Sequence, residues 1–251
     1  MLALPSFLAV PLAVFVIGGE QRAYWDWQLT EPLDLTVRVS VLVTDMDAVT
    51  SEQVAQLKAR DIAPVCYISV GSQEAYRDDA TAFPVEVLGQ ALGDWPDEVF
   101  VDIRKPAVFD IMTARIDRCA SMGFVGVEAD NIDLFENETG FDITKQDALS
   151  YVGALADYAH GKGLTIAQKN APDLIPDLVQ RMDFLLIEQC FEYDFCEEAQ
   201  PYLDAGKDVL AVEYTDAKLD WDEICTQAKS SGMHLLLKDR DISAGGKACA
   251  D

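Results

Sequence analysis

The sequence predicts a single α/β domain with the fold of a (β/α)8 barrel. Strand-like and helix-like segments alternate along the chain, and this alternation is typical of a parallel sheet whose strands are connected by helices. Eight strand-like segments occur, the number that closes such a barrel, and a length of 251 residues is usual for this fold. The composition, 50% hydrophobic and 25% charged, is that of a folded domain rather than a disordered chain.

An apolar segment without a charged residue opens the sequence over residues 1–19. Its position and the polar residues that follow it predict a secretory signal peptide within residues 1–23. A retained N-terminal membrane anchor is the alternative, because a run of this length is at the lower limit of what spans a bilayer. In either case the barrel domain is expected to cover residues 24–251.

The strand-like segments are short, rich in Val, Ile, Leu and aromatic residues, and bounded by Gly, Pro or Asp. They are residues 24–29, 37–43, 63–69, 124–130, 164–169, 184–188, 208–213 and 233–238.

The helix-like segments lie between these strands, at residues 51–60, 106–122, 144–160, 175–182, 197–205 and 221–231. The second begins with Pro106 and its apolar stripe stops at Gly123, as expected of a helix start and a helix end. The third opens with Thr144 and has Asp147 three residues later, a pattern similar to a capping box. Residues 72–104 contain two prolines and two glycines, and we interpret them as a long loop-like insertion at the rim of the active site.

The charge balance is strongly acidic, with 44 acidic residues against 19 basic residues and a net charge of −25. A surface of this sign repels nucleic acid and anionic membranes and attracts cationic ligands. The alternative is that the acidity reflects only a solubility or salt-habitat bias. We expect a monomer that contacts a membrane only if the N-terminal segment is retained.

Six cysteines fit a secreted, extracellular protein, because an oxidising compartment allows them to pair. Cys190 and Cys196 are the expected partners, since a loop of only five residues separates them. We expect no metal site at the cysteines, because no C-x-x-C pair is present and the two histidines stand far away. No sequence feature indicates a cofactor, and we expect none.

The active site of a barrel lies at the carboxyl ends of its strands, and carboxylates end at least five of the predicted strands. Glu128 and Asp130 follow an apolar strand at a spacing of two, so they face the same side of the sheet. Glu188 likewise follows two apolar residues on one face of its strand. Because burial of an acid is costly unless the acid is paired or functional, Asp130 and Glu188 are the candidate catalytic pair for hydrolysis of a glycosidic bond.

Further side chains at the same strand ends are candidates for substrate binding. They are Trp27, Asp45, Asp47, Tyr67, Glu128, Asp133, Lys169, Asn170, Glu213 and Tyr214. The alternatives are rim packing for the aromatic residues, a supporting hydrogen-bonded role for Glu128, Asp133 and Glu213, and helix capping for Asp45 and Asp47. Two other chemistries stay open at this point: a divalent cation on Glu128, Asp130 and Asp133, or a Schiff base on Lys169.

Four segments resemble the endo-α-1,4-polygalactosaminidases of glycoside hydrolase family 114, which are related to the spherulin 4 proteins. The segments are residues 65–72, 123–133, 167–170 and 188–196, and the similarity runs from about Trp25 to Asp241. The resemblance implies a barrel in which Asp130 is the nucleophile and Glu188 is the general acid/base of a retaining mechanism.

The substrate that the resemblance implies is an α-1,4-linked galactosamine polymer, partly N-acetylated and cut internally. The free amines of such a polymer are cationic, which matches the acidic charge balance of the chain. A non-catalytic carbohydrate-binding or structural protein, as among the spherulins, is the alternative function.

Overall fold

A computed structural model describes residues 24–93 and 95–249. The expected signal peptide or anchor at residues 1–23 lies outside these ranges. Within them, no helix combines the length and the apolar character that crossing a membrane would require.

The elements alternate in the order that the sequence predicts. In chain order they are β1 (Trp25–Gln28), β2 (Val41–Asp45), α1 (Ser51–Lys58), β3 (Ala63–Ser69), β4 (Ser72–Glu74), β5 (Leu88–Leu92), β6 (Trp95–Val101), α2 (Pro106–Met122), β7 (Gly126–Asp130), α3 (Lys145–Gly161), β8 (Thr165–Lys169), α4 (Ile175–Leu178), β9 (Phe184–Glu188), α5 (Gln200–Asp204), β10 (Val209–Tyr214), α6 (Trp221–Ser231), β11 (His234–Lys238) and β12 (Lys247–Ala248).

The main sheet has the strand order β1-β2-β3-β7-β8-β9-β10-β11-β12. Its first eight strands are parallel and correspond to the eight predicted segments, whereas β12 pairs antiparallel with β11. The second strand starts at Val41 instead of residue 37. The reason is that the guanidinium of Arg60 takes up the carbonyl groups of Leu35, Thr36 and Val37, so this stretch does not join the sheet.

The sheet curls until its two outer parallel strands approach each other. The indole N–H of Trp25 in β1 donates to the carbonyl of His234 in β11 at 2.8 Å, and the N–H of Leu29 donates to the carbonyl of Ile242 at 2.9 Å. Trp27, Val43 and Val212 share one apolar cluster on the concave side. In the part of the chain that the structure describes, no strand ladder links β1 to β11, so the fold is a curled sheet of the barrel type.

The helices begin and end where the sequence provides caps. Thr144 and Asp147 form the expected capping box at the start of α3. Pro106 occupies the first turn of α2, and Gly123 ends that helix with a φ of 98°, a left-handed conformation that glycine adopts without strain. The apolar faces of the helices pack on the convex side of the sheet and form the larger part of the core.

Two predicted helices are shorter than expected. The segment 175–182 is helical only over Ile175–Leu178, because Lys207 donates to the carbonyls of Val179 and Met182 and satisfies them outside a helix. The segment 197–205 is a 3-10 turn followed by α5, which has Pro201 in its first turn.

Residues 72–104 form the predicted insertion, but the prediction that it is loop-like is wrong. This segment contains a three-stranded antiparallel sheet in the order β4-β6-β5, which we call the inserted sheet. Its stability comes from long-range partners: Glu74 is fully buried and accepts hydrogen bonds from Arg77 and from Arg115 of α2. Arg115 also pairs with Asp79 at 2.7 Å, which ties the insertion to the helix layer.

Candidate active site

A cavity of about 670 Å³ lies at the carboxyl ends of the parallel strands. Most of the predicted site residues border it, namely Trp27, Asp45, Tyr67, Asp130, Asp133, Lys169, Asn170, Glu188 and Tyr214. The period-two pattern of the strands brings them together, because alternate residues of each strand face the concave side of the sheet.

Asp130 ends β7 and is held by donors from three neighbouring groups. The Tyr67 hydroxyl donates to Oδ2 at 3.0 Å, and the Lys169 ammonium donates to Oδ1 at 3.1 Å. The backbone N–H of Asn131 also donates to Oδ1, at 2.9 Å. Two of these donors come from the adjacent strands β3 and β8, so the sheet itself fixes the orientation of this carboxylate.

Glu188 ends β9, and its carboxylate also has three donors. Oε2 accepts from the Asn170 amide at 2.9 Å and lies 2.5 Å from the ammonium of Lys169, while Oε1 accepts from the Tyr214 hydroxyl. The same Asn170 side chain accepts from the Glu188 backbone N–H at 2.8 Å. Burial alone would raise the pKa of Glu188, but the Lys169 charge and these hydrogen bonds outweigh it and lower the pKa.

Lys169 lies between the two carboxylates and is only 4% exposed. Burial would lower the pKa of its ammonium, but the charges of Asp130, Glu188 and Glu128 raise it well above the usual range. The Trp27 ring contributes a cation–π contact, with its centroid 5.2 Å from Nζ. A Schiff-base lysine must lose its proton to attack a carbonyl, so this environment opposes that role.

Glu128 is fully buried on the strand that carries Asp130. The Trp27 indole N–H donates to Oε2 at 3.0 Å, and Oε1 has no hydrogen-bond partner within the described residues. Burial, together with the charges of Asp130 and Glu188, raises its pKa well above the usual range. Glu128 therefore holds its proton more tightly than a solvent-exposed glutamate.

The chain adopts a left-handed backbone conformation directly after three of these strands. Asn131, Asn170 and Gln189 have φ values of 58°, 47° and 56°, each one residue beyond Asp130, Lys169 or Glu188. Non-glycine residues in this region carry strain that the surrounding structure must offset, and such residues cluster at functional sites.

Gly71 approaches the first of these residues closely. A Cβ atom at Gly71 would lie 1.8 Å from the carbonyl oxygen of Asn131, so only glycine fits at this position. The Cys190–Cys196 disulfide, which confirms the expected pairing, closes the loop that follows Glu188.

Three predicted site residues have partners that belong to the scaffold. Asp45 borders the cavity, but both Asp45 and Asp47 bind the Arg77 guanidinium, at 2.6 and 2.7 Å. Glu213 faces the other side of the sheet from Tyr214. It accepts from the Phe191 N–H at 2.8 Å, and burial raises its pKa to about 7.

The cavity also has side chains that the sequence interpretation missed. They include Tyr76, Leu92, Trp95 and Glu98 from the insertion, and Arg240 beyond the last parallel strand. The Arg240 guanidinium lies 4.1 Å from the centroid of the Tyr214 ring. The first four were missed because residues 72–104 were interpreted as a loop. The spacing of two between Glu98 and the apolar Phe100 is the sequence pattern that indicates a strand there.

Metal binding was one of the chemistries left open. In residues 24–93 and 95–249, no group of three or more His, Cys, Asp or Glu side chains has the arrangement of a metal site. Between Asp130 and Glu188 the positive charge comes from Lys169.

Solved structures with this fold include enzymes that act on sugars. A crystal structure of Ega3 from Aspergillus fumigatus in complex with galactosamine matches with a TM-score of 0.85 and 29% identity, covering 94% of this chain and 100% of that one. The glycoside hydrolase domain of PelA from Pseudomonas aeruginosa matches with a TM-score of 0.72 over 92% of this chain and 99% of that domain. At 14% identity, the second match shows a common fold only.

Sequence relatives are more distant. MJ1477 of Methanocaldococcus jannaschii is 25% identical over 201 residues, and a protein of Deinococcus radiodurans is 23% identical over 199 residues. These alignments cover 69% and 71% of this chain. The chain spans 58% and 64% of the lengths of those two proteins.

A family model gives the assignment. The model described as glycoside-hydrolase family GH114 matches residues 14–251, which is nearly the entire chain. The chain therefore belongs to glycoside-hydrolase family GH114.

Proposed function

We propose that this chain is an endo-acting glycoside hydrolase that cleaves an α-1,4-linked polymer of galactosamine and N-acetylgalactosamine with retention of configuration. The observation that carries the proposal is the pair Asp130 and Glu188 at the mouth of the curled sheet, bridged by Lys169. Membership of GH114 and the similarity to a galactosamine-bound structure support an amino-sugar substrate.

The spacing of the two carboxylates supports a retaining mechanism. One ammonium nitrogen lies 3.1 Å from Asp130 Oδ1 and 2.5 Å from Glu188 Oε2, so these oxygens can be no further apart than the sum of the two distances. That limit is below the roughly 6.5–9.5 Å that leaves room for water in inverting enzymes. Direct attack by one carboxylate fits the shorter spacing.

Asp130 attacks the anomeric carbon in the first step, and Glu188 gives its proton to the leaving glycosidic oxygen. This step forms a covalent glycosyl–Asp130 ester. In the second step, Glu188 accepts a proton from water, which attacks the anomeric carbon and releases Asp130. Because the pKa of Glu188 is lowered in the free cleft, its acid form is populated at acidic pH, and we expect an acidic optimum.

The remaining predicted residues have supporting roles in this scheme. Tyr67 orients Asp130, and Asn170 and Tyr214 orient Glu188, since each donates a hydrogen bond to the carboxylate in question. Trp27 supports Lys169 through its ring and Glu128 through its N–H. Asp133 borders the cavity, and burial together with the charge of Asp130 raises its pKa, so it is suited to hydrogen-bonding sugar hydroxyls.

The first experiment incubates the purified protein with partially de-N-acetylated α-1,4-galactosaminan and identifies soluble products by mass spectrometry. We expect short oligosaccharides from the unmodified protein. Asp130→Asn and Glu188→Gln should each lower the rate by about 10²- to 10⁴-fold while the protein still folds, because both substitutions preserve shape and leave Lys169 one carboxylate partner.

Binding of the polymer without any cleavage by a folded protein would contradict the proposal. That outcome would favour the non-catalytic carbohydrate-binding alternative. Nuclear magnetic resonance of the first product formed gives the anomer, and an inverted anomer would exclude the covalent ester.

We also infer that the curled sheet closes as a complete barrel, because its outer parallel strands β1 and β11 approach each other.

We further infer that the protein is secreted and monomeric. All six cysteines are paired, as Cys66–Cys119, Cys190–Cys196 and Cys225–Cys249, and this supports an oxidising compartment. Light scattering at several protein concentrations tests the monomer, and a mass above that of one chain would contradict it.

A further inference from the structure

The loop that follows the last parallel strand reaches back to the cavity. It spans residues 239–246, between β11 and β12, and we call it the C-terminal loop. Three of its residues, Arg240, Asp241 and Ile242, border the cavity. None of them takes part in the reaction steps proposed above, although Arg240 brings a positive charge to the cavity that Glu188 borders.

A buried ammonium group anchors the C-terminal loop to the sheet. Lys238 ends β11 with a side chain that is 1% exposed, and its Nζ donates to the carbonyls of Ser243 and Gly245 at 2.7 and 2.6 Å. It also donates to Asp26 of β1 at 2.9 Å, so the anchor connects the two outer parallel strands. Because a buried charge is costly unless it is paired, these acceptors fix Lys238 and the loop with it. Arg240 therefore projects from a fixed backbone.

The Arg240 guanidinium lies over the Tyr214 ring, and two acids hold it there. Its Cζ is 4.1 Å from the ring centroid, which is within the range of a cation–π contact. Nε lies 3.0 and 3.1 Å from the two carboxylate oxygens of Asp216, and Glu192 is 3.9 Å from the guanidinium. Asp216 follows β10 and Glu192 follows β9, so the guanidinium is held from two elements.

Tyr214 connects this cation to Glu188. Tyr214 is 5% exposed, and its hydroxyl donates to Oε1 of Glu188. The other oxygen, Oε2, has the Asn170 and Lys169 donors. A small displacement of the Tyr214 ring would therefore weaken the contact to Oε1 and leave the contacts to Oε2 intact.

The charge of Arg240 also acts on the hydroxyl itself. Burial and the charge of Glu188 raise the pKa of the Tyr214 phenol, and the charges of Lys169 and Arg240 oppose that rise. A phenol that loses its proton more readily is a stronger hydrogen-bond donor to a carboxylate. Arg240 therefore favours the hydrogen bond between Tyr214 and Glu188 through the ring.

We propose that Arg240 is a positioning residue for Glu188: it holds the Tyr214 ring and strengthens the hydrogen bond that the Tyr214 hydroxyl donates to this carboxylate. The inference rests on the proposed function, in which Glu188 exchanges a proton with the glycosidic oxygen and with water. The other charged and titratable groups around Glu188 include Lys169 of β8 and Glu128 and Asp130 of β7. A substitution of Arg240 leaves these three groups in place, so it tests the hydrogen bond from Tyr214.

Carbon-13 nuclear magnetic resonance of protein labelled at the glutamate carboxyl carbon follows the titration of Glu188 directly, and Glu188→Gln identifies its signal. We expect Arg240→Gln to move the midpoint of this titration up by about half a pH unit, because the carboxylate loses part of one hydrogen bond. In a Tyr214→Phe background the same substitution should move the midpoint by less than about 0.2 pH unit, since the hydroxyl through which Arg240 acts is absent. Arg240→Lys keeps a cation for the ring, so its midpoint should lie closer to that of the unmodified protein.

Arg181→Gln is the matched control. Arg181 is an arginine of similar side-chain exposure, 42% against 46%, and neither it nor its ion-pair partner Asp157 borders the cavity. Its loss should leave the midpoint of Glu188 in place. An equal shift from Arg240→Gln in both backgrounds, or no shift in either, would overturn the positioning role. The titration needs no substrate, so a folded protein that cleaves no polymer would overturn the proposed function but not a measured link between Arg240 and Glu188.

Discussion

Glu188 and Glu128 are carboxyl groups of the same charge cluster, yet their surroundings shift their pKa values in opposite directions. Glu188 has three side-chain donors and a low pKa, whereas Glu128 has one donor, full burial and a pKa well above the usual range. Both are close to Lys169, but Glu188 accepts from more donors, whereas the charges of Asp130 and Glu188 raise the pKa of Glu128. At the scale of single residues, hydrogen-bond partners and neighbouring charges therefore set the direction of each pKa shift.

Tyr214 allows a test of how hydrogen bonds set the pKa of Glu188, because its hydroxyl donates to Glu188 and stabilises the ionised form. Tyr214→Phe removes that bond, so the pKa of Glu188 rises. If Glu188 is the general acid, the alkaline limb of the kcat/KM profile moves up by about one pH unit. Tyr67→Phe is the matched control: Tyr67 donates to Asp130, and its loss should leave the alkaline limb in place. An upward shift of the acid limb in Tyr214→Phe would identify Glu188 as the nucleophile.

The titration of Glu213 affects the stability of the whole domain. Burial raises its pKa to about 7, from an ordinary value of 4.5. Between these values the folded protein holds a proton that the unfolded chain has released, so the contribution of Glu213 to stability falls as pH rises from about 4.5 to about 7. Glu213→Gln should raise the melting temperature relative to the unmodified protein more at pH 8 than at pH 5. Equal changes at both values would show that Glu213 does not titrate in this way.

At the scale of elements, the parallel strands and the longer helices were predictable, but the inserted sheet was not. Periodicity and caps report local structure, and they located all eight strands, Pro106–Met122 and Trp221–Ser231. The inserted strands carry acids and a proline, and the first of them, β4, has only three residues. Their stability depends on residues far along the chain, such as Arg115, which local patterns do not reveal.

The local pattern of each strand also determines which site residues were predictable from the sequence. Asp130, Glu188 and Lys169 end strands with a clear alternating pattern, so their common face follows from the sequence. Glu213 does not share that face, because it lies one position before Tyr214 on the same strand and so faces the other side of the sheet. Trp95 and Glu98 reach the cavity only through the antiparallel pairing of the insertion.

Arg115 permits a test of what holds the insertion. It is 1% exposed and pairs with both Glu74 and Asp79. Arg115→Met should lower the free energy of unfolding by about 3–5 kcal/mol, since it leaves buried acids with fewer partners. Arg118→Met on the same helix is the control: its ion pair with Asp47 is 44% exposed on the arginine side, and its loss should cost less than about 1 kcal/mol. Urea unfolding measures both, and similar losses would contradict a special role for Arg115.

At the scale of the whole molecule, the net charge of −25 acts on encounters with the substrate. A long-range field that attracts a polycation is screened by salt, so kcat/KM for a de-N-acetylated polymer should fall by about tenfold as ionic strength rises from about 0.02 to 0.2 M. A fully N-acetylated polymer has no such charge and should change little. Equal salt dependence for both polymers would assign the acidity to solubility alone.

The Cys66–Cys119 disulfide has a consequence for how the molecule can diversify. It joins β3 to α2, the two elements between which the inserted sheet lies, with a Cα–Cα distance of 6.0 Å. The bond lies near the C-terminal end of α2, so the two elements that flank the insertion stay covalently joined, and the entropy of closing a loop grows only slowly with its length. Mutations that lengthen, shorten or replace residues 72–104 leave the catalytic strands anchored, so the selectivity of the cleft can evolve separately from the reaction that it performs.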